Sequence, residues 1–187
     1  KMTHATPAVA TIQGIRQVIF FTQSGLVAVE AATGKPLWRY AFPYRVSTAA
    51  SPVVGGDIVY CSAGYGVGAA AVRISRSGEN LVATELWRSR GDRPVVNHWS
   101  TPVYHDGQVA ISTTWGRGTT VLQLKVDGRN CSAQPVWHNP EFDIEHGGFL
   151  LVDDHLYGLA DGNHKRRHWA CVDWKTGQVT YDSAGPG

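Results

Sequence analysis

The chain has 187 residues, enough for a substantial core, and its 17 Lys and Arg against 15 Asp and Glu give a formal net charge of +2. A charge this close to zero creates no field that would attract nucleic acid or an acidic membrane surface, so neither is an expected partner. The apolar stretches are all of strand length, and no transmembrane segment is predicted.

Four similar units follow one another along the chain. The first, about residues 1–43, starts at a Thr-Pro step, continues with short runs rich in Val, Ile and Leu, and turns at Thr33-Gly34-Lys35 before an aromatic residue. The same order returns, with different residues, in units of about 44–93, 94–140 and 141–187. Apolar runs broken by Gly-Asp, Asp-Gly and Thr-Gly turns are typical of antiparallel strands, and no window shows a sustained helical period.

A repeat of about 45 to 50 residues with four strands per unit predicts an all-β fold, a β-propeller with four four-stranded antiparallel blades in a single segment spanning residues 1–187. An open arc of blades would expose an apolar face at each end. We therefore expect a piece of a larger, seven- or eight-bladed ring, with further blades of the parent chain or a second copy of this chain as partners.

One aromatic residue closes each unit at a comparable position. Large rings repeated at blade spacing are predicted to fill the wedges between neighbouring sheets, a structural role and not a ligand contact. These structural blade aromatics are Trp38, Trp87, Trp137 and Tyr181.

Antiparallel topology also predicts where a binding site would lie. The loop before the first strand of each blade and the loop between its second and third strands must share one face of the disc, where polar groups, aromatic rings and Gly suit a small planar or sugar-like ligand. Polar residues in such loops also commonly fix loop backbone, and that alternative stays open. The first-strand loops crowd the central axis of a propeller, so this face is expected to form a funnel there. The candidate ligand-binding residues of the funnel are Arg45, Ser47, Asn97, His98, Trp99, Trp115, Glu145 and His146.

The sequence assigns neither a metal site nor a catalytic residue. Cys61, Cys131 and Cys171 lie in no CxxC or adjacent-Cys arrangement, and Cys61 and Cys171 fall within apolar strands, where a thiol behaves as a small hydrophobe. No nucleophile elbow or phosphate-binding loop is present.

The segments GLVAVEAATGKPLW and WACVDWKTGQVTYD resemble the repeat of the pyrroloquinoline quinone (PQQ) propeller family, the quinoprotein alcohol dehydrogenase-like superfamily. The resemblance spans essentially the whole chain and is clearest in the first and fourth units. It implies a propeller fold, a periplasmic or secreted location and, in the enzymes of the family, PQQ with calcium held between a Trp floor and an adjacent-cysteine disulfide beside a catalytic Asp. This chain has no Cys-Cys pair and no recognisable calcium-ligand motif.

Three functional hypotheses follow. The first is a noncatalytic PQQ-like propeller segment that serves as a ligand- or protein-binding scaffold. The second is a portion of a PQQ-dependent alcohol or sugar dehydrogenase, an oxidoreductase. The third is a carbohydrate-binding propeller that uses Trp99, Trp115 and His98 for stacking and hydrogen bonding.

Overall fold

The computed structural model describes residues 3–46, 48–91, 97–161 and 167–184, and within these ranges the regular structure is sixteen β-strands with no helix. Sheet 1 contains β1 (Ala8–Ile12), β2 (Ile15–Thr22), β3 (Gly25–Glu30) and β4 (Pro36–Ala41). Sheet 2 contains β5 (Val53–Gly55), β6 (Ile58–Ala63), β7 (Gly68–Ser77) and β8 (Asn80–Ser89). Sheet 3 contains β9 (Val103–His105), β10 (Gln108–Ser112), β11 (Thr119–Asp127) and β12 (Asn130–Asn139). Sheet 4 contains β13 (Leu150–Val152), β14 (His155–Ala160), β15 (His168–Asp173) and β16 (Val179–Ala184).

Each sheet is a four-stranded antiparallel meander in which sequence order and spatial order coincide. Tight turns favour this arrangement: at the β9–β10 hairpin, Asp106 and Gly107 both have positive φ (47° and 74°), as a type I′ turn requires. The predicted all-β propeller architecture of four four-stranded antiparallel blades is confirmed.

A register shift at the same position identifies equivalent residues in the four sheets. In each sheet the pairing of the third and fourth strands shifts by one residue, and the closing aromatic pairs with the residue just before the shift. The four pairs are Ala28 with Trp38, Ala71 with Trp87, Val121 with Trp137 and Cys171 with Tyr181. The four aromatics therefore occupy one structural position, repeated.

The core consists of three apolar layers, one between each pair of neighbouring sheets. Strand β6 shows how the sequence supports this, because its alternate residues Val59 and Cys61 enter the layer with sheet 1 while Ile58 and Tyr60 enter the layer with sheet 3. A strand covered on both faces is apolar at every position, not at every second one.

The closing aromatics of the first three sheets lie in these layers. Trp38 is 6 % exposed and donates its indole N–H to Gln17 Oε1 at 2.6 Å. Trp87 and Trp137 are half-buried, and the Trp137 indole donates to the Trp174 carbonyl at 2.7 Å. These rings fill the wedges between sheets.

Tyr181 has the equivalent position in sheet 4 but is 51 % exposed. It differs from the other three aromatics because no sheet in the described part of the chain lies beyond sheet 4 on that side. The same outer face exposes Leu150 and Trp169, and the opposite end of the arc exposes Val9 and Phe20 of sheet 1.

Candidate functional site

Five aromatic side chains from three sheets contact one another at one end of the sheets. Tyr65 lies in the β6–β7 loop, His98 and Trp99 lie before β9, Trp115 lies in the β10–β11 loop, and His146 lies before β13. We call this group the aromatic cluster. Residues far apart in sequence meet here because first-strand loops and second-to-third-strand loops share one face of an antiparallel arc.

His98 and Trp115 form the centre of the aromatic cluster, with ring centroids 4.4 Å apart. Tyr65 packs edge-on against both rings, at 5.1 Å from His98 and 6.2 Å from Trp115. Trp99 meets Trp115 at 5.4 Å and an interplanar angle of 86°, and it stacks parallel to His146 at 5.5 Å. Such edge-to-face and stacked pairs each contribute about 0.5–1.5 kcal/mol beyond area burial, so the rings support one another.

The aromatic cluster is buried at its base and open at its surface. His98 is buried, and a side chain at Gly64 would overlap its ring, so Gly64 permits this close approach. Tyr65 and Trp115 are 45 % and 43 % exposed. Two large rings on the surface of adjoining loops, backed by a buried histidine, form a ligand-sized aromatic surface.

Asp143 fixes the loop that carries Trp115. Its carboxylate is buried and accepts hydrogen bonds from Ser112 Oγ at 3.0 Å, from the Thr114 backbone N–H at 3.1 Å and from the Gly116 backbone N–H at 2.5 Å. Thr114 and Trp115 have positive φ, 72° and 58°, a conformation that costs non-glycine residues about 1–2 kcal/mol. The Asp143 contacts stabilise a strained backbone that presents the indole outward, and such strain concentrates at binding sites.

A second set of polar contacts fixes the loop of His98 and Trp99. The backbone N–H of Asn97 donates to Ser62 Oγ at 3.0 Å, and its side-chain amide donates to Ser100 Oγ at 2.9 Å. The His98 carbonyl accepts from Thr48 Oγ1 and from the Ala49 N–H, both at 3.3 Å. The loop thus joins sheets 2 and 3 through its backbone.

The structure brings together four of the eight candidate residues, His98, Trp99, Trp115 and His146. Asn97 and Glu145, also candidates, are buried: the Asn97 side-chain amide donates to Ser100 Oγ at 2.9 Å, and the Glu145 backbone N–H donates to Asp161 Oδ1 at 2.9 Å. Arg45 is exposed and makes no contact with the aromatic cluster in the part of the chain that the structure describes. Ser47 lies outside the described residues.

Sequence reasoning did not single out Tyr65 or Asp143 as site residues. A Gly-Tyr-Gly sequence in a second-to-third-strand loop was the available signal for Tyr65, since flanking glycines let an aromatic ring lie outside the strand pattern. Asp143 carried no such signal, because an Asp in a loop is ordinary and only the fold shows which backbone it holds.

The described residues do not fit PQQ with calcium. Cys61, Cys131 and Cys171 are all free thiols, and burial raises the pKa of the Cys61 thiol, so Cys61 stays protonated within its strand. No group of three or more His, Cys, Asp or Glu side chains suited to a metal ion occurs in the described ranges. Rings of the aromatic cluster lie in direct contact, which leaves no slot between them for a planar cofactor.

Radially packed four-stranded sheets, each with an aromatic residue beside a recurring register shift, define a β-propeller segment of the PQQ-repeat class. The sequence model of the family described as outer membrane protein assembly factor BamB matches residues 1–98 of the 187. The chain belongs to this family.

Two solved structures share the fold at low sequence identity. The crystal structure of BamB from Moraxella catarrhalis superposes with a TM-score of 0.61 and 19 % identity over 96 % of this chain and 50 % of that one. A europium-containing methanol dehydrogenase superposes with a TM-score of 0.53 and 19 % sequence identity over 73 % of this chain and 24 % of that one. The chain thus spans about half the length of the first structure and about a quarter of the second.

No curated protein matches the chain in sequence. Within the described ranges, no helix has the length and apolar character needed to cross a membrane.

Proposed function

We propose that this chain is a noncatalytic binding segment of a PQQ-like propeller and that the aromatic cluster is its binding surface. The observation that carries the proposal is the partly exposed set of contacting rings from three sheets, held in a strained backbone by a buried carboxylate. A fold optimised only for stability would bury Trp115 or replace it, because an exposed large ring gains little from the hydrophobic effect.

The family match supports a binding role over catalysis. The family is described as an assembly factor, and the catalytic parts expected of a PQQ enzyme are not assembled in the described chain. We assign the segment to a seven- or eight-bladed ring with further blades, and to a periplasmic or secreted location, on the strength of the same family and of a solved relative about twice as long.

The test uses two collections of probes, a phage-displayed peptide library and a glycan array, screened with the wild-type chain. We expect at least one binder whose affinity falls at least tenfold in Trp115→Ala, because Trp115 is one of the two large rings that the aromatic cluster leaves nearly half exposed. Phe20→Ala is the matched control: Phe20 is 39 % exposed but lies on the outer face of sheet 1, at the opposite end of the arc.

Two results would overturn the proposal. The first is that all binders tolerate Trp115→Ala. The second is that the chain incubated with PQQ and Ca²⁺ develops the quinone absorbance and oxidises an alcohol in a dye-linked assay, which would establish the dehydrogenase alternative.

A further inference from the structure

The junction between sheets 3 and 4 shows how the closing aromatic of one sheet contacts the next sheet. The Trp137 ring packs on Gly177 in the β15–β16 turn so closely that a methyl group at Gly177 would overlap it. The Trp137 indole N–H donates to the Trp174 carbonyl at 2.7 Å, and the Asn139 side-chain amide donates to the Gly177 carbonyl at 2.7 Å. The β15–β16 turn is therefore a binding site for the aromatic ring of the preceding sheet.

The β3–β4 turn of sheet 1 has the same backbone but carries no ring. Ala31 corresponds to Trp174 and Gly34 to Gly177, because the backbone hydrogen bonds of the two turns coincide, and the φ angles of the two glycines are 73° and 71°. No described atom lies within 4 Å of a methyl group placed on Gly34. A cavity of about 390 Å³ lies beside this turn, with Arg16 and Ala31 in its lining. Sheet 1 thus presents a turn without a ring.

Sheet 4 presents the complementary part, a ring without a turn. Tyr181 has the register position of Trp137 but is 51 % exposed. The outer face around it is apolar and exposes Trp169, while the outer face of sheet 1 is also apolar and exposes Val9 and Phe20. The two ends of the chain therefore repeat, in separate halves, the junction that sheets 3 and 4 make.

The charges of the two ends are also complementary. At the junction of sheets 3 and 4, His105 of the first lies 3.8 Å from the Asp154 carboxylate of the second. At the open ends, Arg16 of sheet 1 has the backbone position of Asp154, and Asp153 lies in the β13–β14 turn of sheet 4. Exposed pairs of this kind add little affinity, but they disfavour a contact of sheet 4 with another sheet 4, which would bring carboxylates together.

We infer that two copies of this chain associate head to tail, with sheet 4 of each copy packed on sheet 1 of the other and Tyr181 on the Gly34 turn. This inference rests on the ring assigned under the proposed function and specifies that a second copy supplies the further blades. Four sheets from each copy give eight, within the range of closed propellers. Because the heterologous contact closes after two copies, it covers both apolar outer faces of each copy.

The test is sedimentation equilibrium of the chain over a series of concentrations. We expect a monomer–dimer equilibrium, with the dimer at twice the 20.3 kDa of one chain and no larger species. Tyr181→Ala and Val9→Glu should each raise the dimer dissociation constant at least tenfold, because the first removes the ring and the second places a charge in an apolar junction. Val136→Glu is the matched control and should leave it unchanged: Val136 is 44 % exposed but lies in β12 of sheet 3, which has a sheet on either side. Far-ultraviolet circular dichroism shows whether each variant is folded.

The outcomes separate the inference from the proposed function. A folded wild-type chain that stays monomeric at every concentration overturns the inference, and the binding role of the aromatic cluster, measured with its own probes and Trp115→Ala, is unaffected. A dimer weakened by Tyr181→Ala but not by Val9→Glu pairs sheet 4 with sheet 4 and overturns the head-to-tail arrangement. Equal weakening by Val136→Glu overturns the assignment to the two end faces.

Discussion

Aromatic rings occur in two regions of this molecule and are held in different ways. Between the sheets, Trp38 and Trp137 lie at a repeated register position and pack in apolar layers. Their indole N–H groups donate hydrogen bonds to Gln17 Oε1 and to the Trp174 carbonyl. In the aromatic cluster, Tyr65 and Trp115 lie in loops with positive φ and remain nearly half exposed.

The difference shows which rings stabilise the fold. An inter-sheet ring gains free energy from burial, so its position follows from the repeat. A ring of the aromatic cluster gains less from burial and needs polar contacts, such as those of Asp143, to hold its loop. Substitutions in the two regions should therefore change different measured properties.

The largest expected effect is on stability, from Trp38→Ala. The change removes a nearly fully buried ring and leaves buried Gln17 without the indole donor, so the free energy of unfolding should fall by about 4 kcal/mol. The control Trp115→Ala removes the same side chain from a partly exposed position, where it has three ring contacts, and should cost about 2 kcal/mol. Chemical denaturation measures both, and equal losses would contradict the distinction.

The second effect concerns the turn on which Trp137 packs. Gly177 has φ of 71°, and a methyl group there would overlap the Trp137 ring, so Gly177→Ala should destabilise by about 2–5 kcal/mol, the sum of backbone strain and overpacking. Gly34 occupies the same turn position in sheet 1, with φ of 73° and nothing within 4 Å. Gly34→Ala should therefore show the backbone cost alone, about 1–2 kcal/mol.

The two glycine variants are compared by urea denaturation under identical conditions. A Gly34→Ala loss as large as that of Gly177→Ala would show that the ring contact is not the cause.

The third effect is on the aromatic cluster and not on the core. Asp143→Asn preserves shape but replaces one acceptor oxygen by a donor, so the Thr114 or the Gly116 N–H loses its partner, at a cost of about 1–2 kcal/mol. The near-ultraviolet circular dichroism of the contacting rings should change because the Trp115 loop relaxes. An unaltered aromatic spectrum would show that Asp143 does not position Trp115.

The smallest expected effect comes from the closing aromatic of sheet 4. Tyr181→Ala should cost less than about 1 kcal/mol in the monomer, since half of the side chain is already exposed, whereas Trp137→Ala at the equivalent position should cost about 3 kcal/mol. Denaturation at two protein concentrations measures this difference. A large, concentration-dependent loss for Tyr181→Ala would show that a second copy covers this face.

The repeat made the fold predictable from sequence. Proline steps, Thr-Gly turns and the recurring aromatic residues indicated four units, and an equivalent position in one unit could be checked against the other units. The burial of each aromatic was less predictable, because Tyr181 obeys the same local pattern as Trp137 and differs only in whether a sheet lies beyond it.

The candidate site was predictable only in part. Antiparallel topology alone indicated that the loops of His98, Trp99, Trp115 and His146 share a face. It could not show that Asn97 points inward, that Glu145 is buried, or that Asp143 accepts from the Trp115 loop, since loop hydrogen bonds depend on tertiary distances that no periodicity encodes.

The most direct test of the two aromatic regions is the indole N–H spectrum of the isotope-labelled chain, whose seven tryptophans are assigned by single Trp→Phe variants. On addition of a binder found with the peptide library or the glycan array, the Trp99 and Trp115 signals should shift with a common affinity. The Trp38 and Trp137 indole N–H groups donate to Gln17 Oε1 and to the Trp174 carbonyl, so their signals should stay in place. Unchanged Trp99 and Trp115 signals, or equal shifts of the inter-sheet indoles, would contradict the assignment of binding to the aromatic cluster and of packing to the repeat.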